Sequence, residues 1–391
     1  MSDNSSDDTW TTLAVAGLAV LAANALSGLF QDDKGKAKKL FDRSLELQQA
    51  GRLPEAINLL LQSIQKDNTY APAFNNLAWL IALRKDLHGI QAAEQYALRA
   101  LQYADGPADR ASFLDTLGEV YMVQGRLDDA IQQFQESLRV NPELDAAASE
   151  YGPSFRLAIC YFQKQEMLKA HSAVIRAVQA GSANPFVYNL LGLINLELQR
   201  FNDAVQSFRE AIRLTPAWTF HIPLPPPMPL EEWRQLTLSN FYCGLGMAYY
   251  RLEKIEAYRE ANQEAIDAYP ANPTPLINLA SLSAREEAVA EMRAYLEDGL
   301  RLMVRPQHDF LIQYMLTEPN FESARDVVYE MLLTHNFISL SHYKDLLKNW
   351  HNNNLRALQA SSSQIINVNN SNGVAIGDQN SLSGVSIDAL R

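Results

Sequence analysis

Cysteine is almost missing from this chain: Cys160 and Cys243 are the only two among 391 residues. They lie in different predicted helices, and neither has the close partner that a metal or redox motif requires. A disulfide framework is excluded. Seven histidines are scattered along the sequence, none of them in HExxH or at a spacing that turns two rings toward one metal. His171, His342 and His351 read as surface or packing residues. No Walker loop, GxGxxG or GxSxG occurs, and acid pairs such as Asp128–Asp129 and Glu286–Glu287 read as solvated helix faces. Neither catalysis, nor a metal, nor a cofactor is expected. Basic charge is also in deficit: 33 Lys and Arg against 45 Asp and Glu leave a net charge of -12, which argues against a nucleic-acid surface.

Long apolar runs are scarce too, with one exception. Residues 1–10 are polar and acidic, and Thr11–Phe30 then carries no charge. At about 1.5 Å per residue that run just spans a hydrocarbon core. It lacks the basic leader of a signal peptide. Lys34 and Lys36 in the linker 31–37 follow it, with Lys38 and Lys39 just beyond, so the positive-inside rule predicts a single-pass protein with its main domain cytoplasmic. Ala19, Ala23 and Ser27 form a small-residue row suited to self-association in a membrane. The competing reading is a capping helix on the first repeat of a soluble cytoplasmic chain.

What the chain has in plenty is a repeated pattern. In ASFLDTLGEVYMVQGRLDDAIQQFQESLRVNP, Ala111–Pro142, apolar residues recur at helical period on both sides of Gly125. Gly118 and Ala130 are small where two helices must approach, and Pro142 stops the second helix. These residues resemble the tetratricopeptide repeat (TPR), a helix–turn–helix unit of about 34 residues. One such hairpin cannot bury its own apolar face and needs stacked neighbours. The resemblance implies an all-α TPR solenoid: repeats 1–5 over 38–216, repeats 6–7 over 233–303, and capping helices over 304–358. Arg43 in the first repeat and Gln165 in the fourth stand where the pattern has Leu and a turn glycine. The Pro-rich run 217–232, with HIPLPPPMP at its centre, reads as an insertion between hairpins, and its PxxP spacing is one that SH3-like modules recognise.

The resemblance also implies a groove lined by first helices. Family positions carried over place Asn75 and Trp79 there from the second repeat, and Asp115, Glu119 and Met122 from the third. Phe155, Ile159 and Phe162 come from the fourth, Asn189 and Leu193 from the fifth, and Met247, Tyr250 and Arg251 from the sixth. Such a lining, apolar with a small acidic patch, predicts a protein or peptide partner offering a hydrophobic or weakly basic segment.

Residues 359–391 change character to Asn, Ser and Gly. Within VAIGDQNSL, the residues Val374, Ile376, Gly377, Asn380 and Leu382 resemble the RHIM family of amyloid signalling motifs, with Ala375 in place of that family's Gln. They also resemble one rung of trimeric autotransporter heads. The leading expectation is a non-enzymatic, membrane-anchored TPR scaffold that recruits partner proteins. The alternative is a signalling or cell-death-type component whose RHIM-like tail nucleates assembly and whose N-terminus acts on membranes.

Overall fold

The computed structural model describes residues 33–83, 89–147, 152–218, 229–304 and 308–350. Its contacts divide the chain into two compact units, Met1–Leu230 and Glu231–Arg391. The division falls at the end of the Pro-rich run, which the sequence reads as an insertion within one array.

In the first unit five hairpins follow one another. They are α1 (Asp33–Gln49) with α2 (Leu53–Lys66), α3 (Ala71–Leu83) with α4 (Ile90–Gln102), and α5 (Pro107–Val123) with α6 (Leu127–Val140). A short turn α7 (Leu144–Ala147) precedes α8 (Pro153–Gln163) with α9 (Met167–Gln179), and α10 (Pro185–Glu197) with α11 (Phe201–Leu214) closes the series. Each hairpin packs on the next, and the first helices α3, α5, α8 and α10 touch in succession. They build one face of the unit.

Close approach inside a hairpin depends on one small residue in the first helix. A Cβ on Gly118 would lie 2.6 Å from the Phe134 ring, and one on Gly192 would lie 2.8 Å from the Phe208 ring. Both rings are fully buried. In the fourth hairpin the same spacing of 16 residues pairs Ala158 with the smaller Val174, both buried. A buried serine adds a second tie. Ser63 Oγ donates to the Ala37 carbonyl at 2.8 Å and Ser137 Oγ to that of Ala111 at 2.7 Å, each from the second helix back to the start of the first.

The turn between the two helices recurs in four of these hairpins, that of the second lying outside the described residues. The second residue after the first helix takes a left-handed φ: Gly51 at 73°, Gly125 at 74°, Gln165 at 60° and Gln199 at 58°. The following amide then bonds back across the helix end, Arg126 to Tyr121 O at 2.9 Å and Glu166 to Tyr161 O at 2.9 Å. These are Schellman closures, which satisfy carbonyls left over at the helix end. Gln165 keeps the conformation despite its side chain, so the missing glycine altered strain and not geometry.

The second unit repeats the scheme with α12 (Leu230–Arg251), α13 (Ile255–Ala268), α14 (Thr274–Arg285) and α15 (Val289–Leu302). Its left-handed turn residues are Glu253 at 58° and Glu287 at 59°. Then come α16 (Asp309–Thr317), a 3-10 segment Pro319–Ala324 and α17 (Arg325–Thr334), with further helix at residues 340–350. Met292, Leu296, Met315, Phe321, Val328 and Leu332 share its apolar core.

The single-pass membrane reading is corrected: among the described residues, no helix is long and apolar enough to cross a membrane. The longest, the 22-residue α12, carries Glu231, Glu232, Arg234 and Arg251, and the apolar stripes of the others are spent on neighbouring helices. Thr11–Phe30 lies outside the described residues, as do most of the Pro-rich run and the tail 359–391.

Two outcomes follow from the hairpin geometry. Gly118→Leu should cost about 1–3 kcal/mol by overpacking against Phe134, read from chemical denaturation; an unchanged midpoint would refute the close approach. Glu253→Gly and Glu287→Gly should each stabilise the second unit by about 0.5–1 kcal/mol, since a left-handed L-residue costs more than glycine's extra chain entropy. A loss of stability from either would show that its side chain does more than fill the turn.

Candidate functional site: the first-helix face

The described helices bring the expected residues to equivalent places. Glu119, Ile159 and Leu193 each follow the repeat's Leu117, Leu157 and Leu191 by two positions, so they stand at equivalent places in α5, α8 and α10. Their surroundings differ. Asn75, Trp79, Met122 and Phe162 are half-buried. Phe155, Ile159, Asn189 and Leu193 are buried, Phe155 being only 1% exposed. Trp218, beyond α11, meets Phe186 of α10 edge-on with ring centroids 5.4 Å apart.

Asp115 and Glu119 do not stand as a bare acidic patch. Arg156 of α8 reaches back to both, with Nη1 3.0 Å from Asp115 Oδ2 and Nη2 3.0 Å from Glu119 Oε2. The Asp115 contact is an aligned hydrogen bond, whereas that to Glu119 is an ion pair alone. All three side chains are at most 16% exposed, so the cluster is a buried tie between the third and fourth hairpins. Burial pushes the Asp115 carboxyl up to about 7; Arg156 opposes this, while Glu119 and Asp145 add to it. Arg156 is missing from the residues expected from sequence. The signal was present: it is the one charge in the 11-residue helix PSFRLAICYFQ, and a lone guanidinium among apolar residues requires buried acceptors.

Two amides on this face are incompletely used. The side-chain oxygens of Asn75 and Asn189 are buried and accept no hydrogen bond. An unfilled acceptor in a buried place is uncommon in a folded protein.

The sixth-repeat residues belong to the second unit. Met247 is half-buried and Arg251 exposed. Tyr250 is engaged by its own chain: the Asn320 amide lies against its hydroxyl, with Nδ2 2.9 Å and Oδ1 3.2 Å away. The Tyr250 ring also stands 5.3 Å from the Tyr258 ring and 5.3 Å from the Arg285 guanidinium.

No group of three His, Cys, Asp or Glu side chains able to hold a metal occurs among the described residues. Burial pushes the Cys160 thiol up to about 12 and the Cys243 thiol higher still, which leaves both unreactive as nucleophiles.

The Arg156 cluster makes stability depend on pH in a definite sense. Asp115 binds its proton in the folded state up to about pH 7, against an ordinary value of 3.8. Between those values the folded state holds more protons, so stability present below the lower value is lost as pH rises toward the upper one. Asp115→Asn should therefore flatten the stability profile across that window, measured by denaturation at several pH values. A profile identical to wild type would mean that Asp115 titrates normally. Arg156→Ala should cost about 3–5 kcal/mol by stranding two buried carboxylates.

Residues 111–144 and 187–217 each match the tetratricopeptide-repeat family. No curated protein resembles the chain closely enough to match it. Similar solved structures include PilF of Pseudomonas aeruginosa, 14% identical over 61% of this chain and 95% of that one, with a TM-score of 0.47. Another is the C-terminal part of a TPR repeat-containing protein from Cytophaga hutchinsonii, 15% identical over 70% and 98%, TM-score 0.47. A third is YrrB, described as a TPR protein with an unusual peptide-binding site, 18% identical over 54% and 92%, TM-score 0.39. The two family matches fall on hairpins α5–α6 and α10–α11, whose packing, turns and small-residue approaches recur in the hairpins around them: the chain is a tetratricopeptide-repeat protein.

Proposed function

We propose that this chain is a non-enzymatic scaffold whose first unit binds a segment of a partner protein on the face of its first helices. The observation that carries this reading is the row of half-open apolar side chains on the first helices. Trp79, Met122 and Phe162 supply it, on the same side of their helices as Asn75 and one or two turns further along. Apolar anchors beside a few placed amides are what peptide-binding grooves present. The ligand is a hydrophobic or weakly basic segment, because apolar side chains dominate the half-open part of this face.

Trp79 and Phe155 separate binding from packing. A peptide selected from a display library on the full-length protein should lose about 2 kcal/mol or more of affinity with Trp79→Ala, while the melting temperature hardly moves. Phe155→Ala should instead lower stability by about 3–5 kcal/mol, the usual cost of emptying a buried aromatic site. A Trp79→Ala protein that binds every selected peptide as wild type does would move the partner site off this face.

A further inference from the structure

The first-helix face of the second unit is already filled, and by the chain itself. Ser281 on α14 follows Leu279 by two positions, as Glu119 follows Leu117, so it occupies the register at which the first unit offers its face. Asn320 Nδ2 donates to Ser281 Oγ at 2.9 Å and lies 2.9 Å from the Tyr250 hydroxyl. One amide thus bridges two successive first helices from a segment 39 and 70 residues away in sequence. Next to it Phe321 is fully buried in the cluster that contains Ile277, Ala280 and Ala284 of α14. The segment is shaped as a tight turn. Glu318 accepts from the Asn320 amide, and buried Arg325 clips the turn's base by donating to the Met315 carbonyl at 2.8 Å and the Glu318 carbonyl at 2.7 Å.

Three features of this contact set it apart from ordinary core packing. Its polar part is made by side chains on the receiving face, Tyr250 and Ser281, and Tyr314 adds a third hydroxyl at 3.3 Å from Ser281 Oγ. The incoming part is contiguous: Pro319, Asn320 and Phe321 supply a rigid turn, an amide and a ring in three consecutive residues. The receiving aromatic is itself held by the Tyr258 ring and Arg285, so it is preorganised whether or not Asn320 is present. Together these are the components of a peptide site with a peptide in it.

We infer that the second unit's first-helix face is a peptide-binding site occupied in cis by residues 318–324, and that its external ligands carry an Asn-Phe pair in a turn, entering by displacing that segment. The inference rests on the proposal that first-helix faces of this protein take peptides, and extends it to a second site with its own ligand chemistry. The bridging amide selects Asn, because Tyr250 and Ser281 hydroxyls must be met by one short side chain. The ring that follows enters the apolar cluster.

The test uses the full-length chain and a fluorescent peptide with the sequence of Thr317–Arg325, TEPNFESAR. Wild-type protein, whose face is filled, should bind it weakly. Asn320→Ala in the protein loosens the cis segment and leaves the face intact, so the peptide should bind roughly tenfold tighter as the open fraction grows. Adding Ser281→Ala and Tyr250→Phe to that protein should return binding to the weak level, and a peptide carrying Asn320→Ala should bind no variant well. Equal affinity of wild type and Asn320→Ala protein for the intact peptide overturns the inference. So does equal affinity of the two peptides. Hydrogen exchange on the wild-type chain decides independently of any variant's folding. Amides of residues 320–324 exchanging faster than those of α14 and α17 support a displaceable segment, and exchange no faster than those helices makes it fixed core. Binding of display-selected peptides through Trp79 is untouched by these substitutions, so failure here and failure of the first unit's site are read separately.

Discussion

Everything in this protein hangs on how closely two helices of one hairpin can approach. Where Gly118 meets the Phe134 ring and Gly192 meets that of Phe208, the absence of a Cβ lets an aromatic ring lie against the facing backbone. The ring fills the hairpin, and the outer faces of both helices are then free for the next hairpin. A larger residue at the glycine would push the helices apart and misplace every later repeat, because each stacks on the one before. The fourth hairpin solves the same problem with smaller parts, Ala158 and Val174. In the sixth, the Gly246 position faces Asn262, whose amide nitrogen a Cβ would approach to 3.0 Å. The constraint is on combined volume, and it leaves the identity of each partner open.

The small residues were readable from the sequence, as were the helices, because period and small-residue placement are local properties; the side chains that meet them were not. The turns were readable in part. Gln165 was recognisable as a replaced glycine, yet nothing local announced that Gln199, Glu253 and Glu287 would adopt the same left-handed conformation. The hairpin imposes it: two helices of fixed packing leave one route between them, and the connecting residue accepts the strain.

The first-helix face was legible only as a list of positions. Register says which side of a helix a residue occupies, but burial depends on what arrives from elsewhere in the chain. Phe155 and Trp79 are both aromatic residues at face positions, and one is buried while the other is half-open. The acidic pair Asp115 and Glu119 was visible, and its neutralising Arg156 was not, because that contact crosses from one repeat to the next. Asn320 lay further still from reach. A turn residue between two capping helices gives no sign in sequence that its amide closes onto Tyr250 and Ser281.

The two units therefore use one architecture in opposite states. In the first, Trp79, Met122 and Phe162 leave the face half-open, and there, as proposed, a partner segment would dock. In the second, the corresponding face has its hydroxyls matched by Asn320 and its apolar part by Phe321, so a ligand gains only the difference between its own contacts and those it displaces. Affinity at the second face is thus lowered by however firmly residues 318–324 hold, whereas selectivity is kept, because a displacing peptide must reproduce the bridging amide. If both faces take peptides as proposed, the half-open one would bind by default and the self-filled one only a closely matched sequence.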